Sequence, residues 1–251
     1  MLAALREAAT DALASELGGP GFAVLHSWFA MDVLLAMRAA AERCFEAVER
    51  DASIAERCGL NRYSHSVPLA ALAGFGFDGE LTVLLNAAGL DDLIEAAVGA
   101  GWVCRMEHCW VRKKFAPRNA PASRYHPQGW HQDGALGVRF PQLAEDGLVG
   151  AKPRPEPSMT ELLTVWVPLN ACGKDSPGLE FAGGRQERLL HFSELEDERV
   201  WWRFGAGEFC APELGIGDGL IFLNSVLHRT YLRAEMERDR MSVEYRLFPE
   251  K

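Results

Sequence analysis

The chain has no excess of basic residues: 26 Lys and Arg stand against 35 Asp and Glu, a formal net charge of −9 over 251 residues. Nucleic acid and anionic membrane both demand basic surface, so neither is expected as a partner. No apolar run reaches the ~20 residues of a membrane span. Met1 through Leu17 scatters Arg6, Glu7, Asp11 and Glu16 among alanines and leucines, where a secretory leader keeps an unbroken apolar stretch. A cytoplasmic protein without an obligate protein partner is expected. The cysteines Cys44, Cys58, Cys104, Cys109, Cys172 and Cys210 contain no Cys-x-x-Cys pair. Cys104 and Cys109, read as parts of one strand, fall on opposite faces, so neither a zinc cluster nor a disulfide framework is expected, only free thiols. There is no Gly-x-Ser-x-Gly for a serine hydrolase. Gly173-Lys174 is no phosphate loop, because Pro168 stands where the first glycine belongs and Asp175 replaces Ser or Thr. Gly215-Ile216-Gly217-Asp218-Gly219 precedes a strand pattern rather than a helix, which makes it a turn and not a dinucleotide loop.

What is present suits one core: 48% of residues are hydrophobic, and no repeat or linker divides the chain. A single domain over residues 1–251 is expected, with 1–100 a mainly helical layer and 101–251 a barrel core. Met1 to Leu17 reads as an amphipathic helix stopped by Gly18-Gly19-Pro20, and Gly21 to Leu25 as a short strand. Leu34, Leu35, Met37, Ala41, Phe45 and Val48 recur at helical spacing between Met31 and about Arg50. From Pro68 to Gly99 short helices are broken at Gly74, Gly76 and Gly79, with Asp91-Asp92 placed to cap the last. Strand patterns follow at Trp102 to Phe115, Thr160 to Leu169, Leu179 to Ala182, Leu220 to Leu223 and Met241 to Phe248. The fold class is therefore mainly β with a helical layer, an antiparallel barrel or jelly roll braced by N-terminal helices. Pro141 to Pro157 reads as a loop or lid, and Trp201-Trp202 with Phe204 as packing residues.

The chemistry lies in His131-Gln132-Asp133, with His228 far along the chain. An imidazole and a carboxylate at i and i+2 of an extended segment share a face, and a distant second imidazole completes a triangle on one side of a metal. Two neutral imidazoles and one carboxylate suit ferrous iron and leave about three octahedral positions open for a co-substrate and dioxygen. His-x-Asp alone recurs by chance. Here, however, the apolar run Leu220-Ile221-Phe222-Leu223 leads toward His228 as a buried strand ending at a site.

Several segments, in this order, resemble the phytanoyl-CoA dioxygenase-like branch of the iron(II)/2-oxoglutarate-dependent oxygenases. They are Gly129-Trp130-His131-Gln132-Asp133-Gly134, residues 163–170, Ser176-Pro177-Gly178-Leu179-Glu180-Phe181, Gly217-Asp218-Gly219 with His228, and residues 240–246. The resemblance runs from about Gly21 to about Phe248 and implies a double-stranded β-helix, a cupin-like jelly roll with its ligands at the mouth. It implies His131, Asp133 and His228 as ligands of Fe(II) and hence the catalytic centre, with 2-oxoglutarate and dioxygen as co-substrates. Arg240 matches the guanidinium that clamps the far carboxylate of 2-oxoglutarate, Thr230 a supporting hydroxyl, and Trp166 with one of Lys113 and Lys114 the pocket lining. Arg246, six residues on and on the same strand face, is the competing clamp. The chain departs from many relatives in carrying Gly183-Gly184-Arg185 where they carry Gly-Ser-His.

The activity so implied is hydroxylation or desaturation of an unactivated carbon in a small-molecule metabolite or natural-product intermediate, with 2-oxoglutarate converted to succinate and carbon dioxide. An aspartate at 133, where related halogenases have a small residue, argues against chlorination. Arg62, His126, Arg139 and Arg185, with Tyr63 and Arg112, are the candidate substrate contacts. Two other classes compete: a metal-free binding or regulatory barrel, and a cupin-like divalent-metal hydrolase or isomerase, since the same ligands accept manganese or zinc.

Overall fold

The structure, a computed structural model, describes residues 2–86, 89–99, 101–121, 125–138 and 158–250, with side chains from residue 8 onward. Helix α1 (Leu2–Gly18) leads into strand β1 (Phe22–Leu25), and α2 (Met31–Arg50) buries Leu34, Met37, Ala41, Cys44, Phe45 and Val48. That stripe, at the period of a helix, is the one read from sequence with one correction: Leu35 is exposed, and Cys44 and Ala40 are buried with the rest. Helix α3 (Ala52–Arg57) was not: Asp51 caps it by accepting hydrogen bonds from the amides of Ser53 (2.7 Å) and Ile54 (3.4 Å). Strand β2 (Ser66–Pro68) precedes a 3-10 segment (Leu69–Phe75) and the helices α4 (Val83–Asn86) and α5 (Leu90–Val98). The start of α5 corrects the expected cap, because Gly89, at φ 72°, occupies the N-cap and Asp91 and Asp92 fall inside the first turn.

The expected strand from Trp102 to Phe115 is two strands, β3 (Trp102–Cys104) and β4 (Trp110–Lys114), separated by the 3-10 turn Met106–His108. That turn reverses the expectation for the cysteines: the sulfurs of Cys104 and Cys109 lie 3.4 Å apart. The remaining elements are β5 (Leu163–Pro168), β6 (Gly178–Arg185), α6 (Asp197–Phe204), β7 (Phe209–Cys210), β8 (Gly219–Leu223), β9 (Val226–Tyr231) and β10 (Arg240–Pro249). On α6, Phe204 packs as expected, Trp201 is 54% exposed with its ring stacked on Phe209, and Trp202 is 86% exposed rather than packed.

One sheet runs β1-β8-β5-β10-β4-β2, with β3 also on β10; the other runs β7-β6-β9. The pairings within both are antiparallel. This is the mainly β, jelly-roll architecture braced by helices. Side-chain alternation divides the large sheet. Val111, Val165, Val167, Ile221, Val243, Tyr245 and Leu247 pack under α2 and its neighbours, whereas Trp166, Leu220 and Phe222 meet Leu179, Phe181 and Val226 between the sheets. Consequently Arg240, Ser242, Glu244 and Arg246, two residues apart along β10, face the interior between the sheets. No helix among the described residues is long and apolar enough to cross a membrane.

Candidate metal centre and co-substrate pocket

His131 and His228 meet as a reciprocal antiparallel bridge, the amide of His131 donating to the carbonyl of His228 (2.9 Å) and the amide of His228 to that of His131 (3.0 Å). The bridge sets the imidazoles side by side, ring centres 4.1 Å apart. Asp133 opens a 3-10 turn two residues on, and the ligand atoms of all three residues lie within 4.8 Å of one another. His131 Nδ1 donates to the Gly129 carbonyl (2.8 Å) and His228 Nδ1 to that of Val226 (3.1 Å), which leaves both Nε2 lone pairs for a metal. The Gln128 amide donates to His131 Nε2 at 2.8 Å and is the group a metal would displace. Burial, helped by the neighbouring His228, pushes His131 down to about 3, so the imidazole is neutral and ready to ligate.

Asp133 is fixed at both oxygens: Thr164 donates to Oδ2 (2.6 Å) and Arg246 to Oδ1 (2.9 Å). Burial works against its charge, but the Arg246 guanidinium, with the Thr164 hydroxyl, holds the carboxyl well below its usual range. Arg246 also pairs with Glu244 (2.7 Å), which Arg112 grips through two nitrogens at 2.6 and 3.1 Å. Arg112 and Arg246 therefore have carboxylate partners.

Arg240 has none. It is 1% exposed, its guanidinium lies 4.8 Å over the Trp166 ring, and its Nε and Nη1 meet no hydrogen-bond partner among the described residues. Ser242 Oγ, next on the same strand face, is likewise buried without a partner. Burial lowers Arg240 to about 10. Lys114 faces Arg240 across the β10–β4 pairing, 1% exposed, its Nζ donating to the Ser64 carbonyl at 2.9 Å. Burial first, then Arg112 and Arg240, depress it to about 6. Lys113 projects to the other side of β4, where its Nζ meets Glu49 at 2.7 Å. Of the two lysines, Lys114 is thus the one beside Arg240. Thr230, two residues past His228 on β9, is 7% exposed.

His131 and Asp133 line a cavity of about 410 Å³ together with Tyr63, Trp110, Arg112, His126 and Gln128. His126 and Tyr63 hold each other there, rings 4.9 Å apart. Arg62 does not reach this cavity. Asn61 Oδ1 accepts from the amides of Tyr63 and Ser64 (3.0 and 3.2 Å), and the resulting turn sends Arg62 to a separate cavity with Glu49, His65 and Phe115. Arg185 is also elsewhere, at the end of β6 against Gly18, Pro20 and Gly184. Arg139 and the Pro141 to Pro157 loop lie outside the described residues. Sequence reading missed Ser242, Thr164, Glu244 and Gln128. The legible signal for two of them was Arg240-x-Ser242-x-Glu244-x-Arg246, a polar face on a strand otherwise apolar.

No family model matches the chain, and no curated protein does. Solved structures do. A non-heme alpha-ketoglutarate-dependent carbocyclase, SnoK, from nogalamycin biosynthesis is 16% identical, with a TM-score of 0.62 over 95% of this chain and 83% of that one. The epimerase SnoN in complex with Fe3+, alpha-ketoglutarate and nogalamycin RO is 15% identical, with a TM-score of 0.57 over 97% and 84%. EctD from S. alaskensis, in its apoform, is 15% identical, with a TM-score of 0.59 over 94% and 75%. At these identities the likeness is one of fold. What these structures share with the chain is the jelly-roll fold, and the chain carries within it a His-Asp-His cluster in which Asp133 and His228 are buried and His131 is partly exposed.

Proposed function

We propose that this chain is an iron(II)/2-oxoglutarate-dependent oxygenase of the phytanoyl-CoA dioxygenase-like kind, built as a single domain and acting on a small-molecule metabolite or natural-product intermediate by hydroxylation or desaturation. The observation that carries the reading is the pairing of a three-ligand cluster with Arg240, a buried guanidinium stacked on Trp166 whose Nε and Nη1 lack a hydrogen-bond partner among the described residues. A buried unpaired donor costs roughly 1–3 kcal/mol, more when charged, so such groups imply an absent acceptor. A planar carboxylate fits the guanidinium fork, with Ser242 Oγ and Lys114 as further donors. His131, Asp133 and His228 would hold the metal, and Trp166 and Thr230 would wall the co-substrate.

When bound, iron with 2-oxoglutarate and dioxygen supplies the oxidising power, co-substrate leaving as succinate and carbon dioxide. The protein's contribution is position. The two Nδ1 bonds aim both imidazoles. Thr164 and Arg246 each engage one oxygen of Asp133, so the carboxylate keeps a fixed orientation beside the two imidazoles with which it would hold a metal. Tyr63 and His126 stand at the mouth of the cavity, where a substrate would lie. A metal-free barrel does not account for three ligands converging, two of them buried, and a metal hydrolase does not account for Arg240.

Succinate formation from 2-oxoglutarate with ferrous iron and ascorbate under air tests the reading. The expected result is slow substrate-independent succinate release by the wild type, absent from Arg240→Ala. Wild type without succinate, under conditions where ferrous iron binds, overturns it.

A further inference from the structure

Cys104 and Cys109 form a close dithiol outside the metal site. Cys104 closes β3 and is half-buried, whereas Cys109 is fully buried just beyond the intervening turn. Their sulfurs are 3.4 Å apart, and the Cys109 sulfur also touches the Arg105 carbonyl at 3.3 Å. The backbone of Arg246 hydrogen-bonds the Cys109 sulfur, and Arg246 holds Asp133. The pair thus combines an accessible sulfur, a buried one in contact with it, and a one-residue link to the metal cluster.

We propose that Cys104 and Cys109 are a reversible two-electron oxidation site whose oxidant is a peroxide. Cys104, the sulfur nearer solvent, takes an oxygen as the peroxide O–O bond breaks, giving a sulfenic acid and one water. Cys109 attacks that sulfur: an S–S bond forms, the S–O bond breaks, and the departing hydroxide leaves with the Cys109 proton as a second water. Two thiols and one hydrogen peroxide become one disulfide and two waters. Cys109 suits the attacking role in the second step, because the hydrogen bond from Cys104, then the Arg246 amide and guanidinium, lower its thiol against the opposing effect of burial. Cys104, whose thiol is raised by the same hydrogen bond, takes the first step through access, being the less buried of the two. Closing the pair to the ~2.05 Å of a disulfide draws Cys109 from the Arg246 backbone and disturbs the support of Asp133.

The sequence makes the test direct, because trypsin cuts after Arg105, between the two cysteines, and the fragment Tyr63–Arg105 holds no other cysteine. Metal-free protein in chelating buffer is treated with stoichiometric hydrogen peroxide, alkylated and digested. The expected product is Tyr63–Arg105 joined to Met106–Arg112, separated by dithiothreitol and absent from Cys104→Ser. Separate alkylated fragments, a sulfinic acid at Cys104, or a bridge between Cys44 and Cys58 in its place overturns the proposal. The link to Asp133 rests on the metal reading, which the mass measurement does not need. Oxidised wild type should bind ferrous iron at least about tenfold more weakly than reduced, the usual range for losing a group that orients a ligand, and Cys104→Ser should not change on treatment. Equal affinity in the two wild-type forms overturns the link.

Discussion

At Arg240 the cost of a buried, unpartnered guanidinium becomes useful only when a carboxylate arrives. Arg240→Ala should weaken 2-oxoglutarate binding by about 2–5 kcal/mol, the range for truncating one member of a buried charge pair. Arg240→Lys should restore part of it, since a point charge cannot reproduce the fork. Anaerobic titration with ferrous iron, read by the visible charge-transfer band, measures both; an unchanged dissociation constant for Arg240→Ala with a large rise for Arg246→Ala would move the clamp to Arg246. The three ligands are tested by the same band, which should vanish in His131→Ala and His228→Ala while the fold persists. Lys114 adds a pH dependence of known sign. Its folded value lies near 6, below its ordinary value, so above that pH the amine is neutral and must take up a proton to meet a dianion. Affinity for 2-oxoglutarate should therefore fall as pH rises from about 6, and Lys114→Met should flatten the slope in calorimetric titrations.

The departure at Gly183-Gly184-Arg185 becomes intelligible at the scale of strand β6. Both glycines have positive φ (64° and 62°), and the pairing of β6 with β9 slips between Ala182 and Arg185, so the segment is a bulge. A Cβ at Gly183 would come within 2.0 Å of the Phe204 ring on α6, a rigid neighbour. Left-handed strain and overpacking together should make Gly183→Ala destabilising by about 2 kcal/mol or more. Urea unfolding checks this, and a midpoint equal to wild type would contradict the bulge. Strand β10 shows the same division of labour in the other direction. One face, Met241 to Leu247, packs under the helices, while the other carries the charges of the site.

Among the described residues the interior between the sheets holds more cation than anion: Arg112, Lys114, Arg240 and Arg246 against Asp133 and Glu244. A dianion should accordingly stabilise the fold, by about 2.7 kcal/mol at a concentration one hundred times its dissociation constant. Thermal denaturation should shift upward with 2-oxoglutarate and metal, and less with pyruvate, which lacks the distal carboxylate; equal shifts would place the binding energy away from Arg240.

How much of this was legible beforehand follows from the range of each signal. Period fixes faces locally, so the α2 stripe, the strand character of β5, β8 and β10, and the shared face of His131 and Asp133 could be read from the chain itself. Period also put Arg240 and Arg246 on one face and Lys113 and Lys114 on opposite ones. It could not say which face is interior. That depends on which sheet covers the strand, and only the folded molecule leaves Arg240 without a carboxylate partner among the described residues, gives Arg246 to Asp133 and Glu244, and turns Lys114 rather than Lys113 inward. The turn at 106–108, with no strong breaker in its sequence, is likewise a tertiary outcome, and with it the meeting of Cys104 and Cys109. Where Arg62 and Arg185 lie was not legible for a related reason: a charge at a turn or a bulge has no period, and its direction is set by local backbone geometry and by what packs beside it.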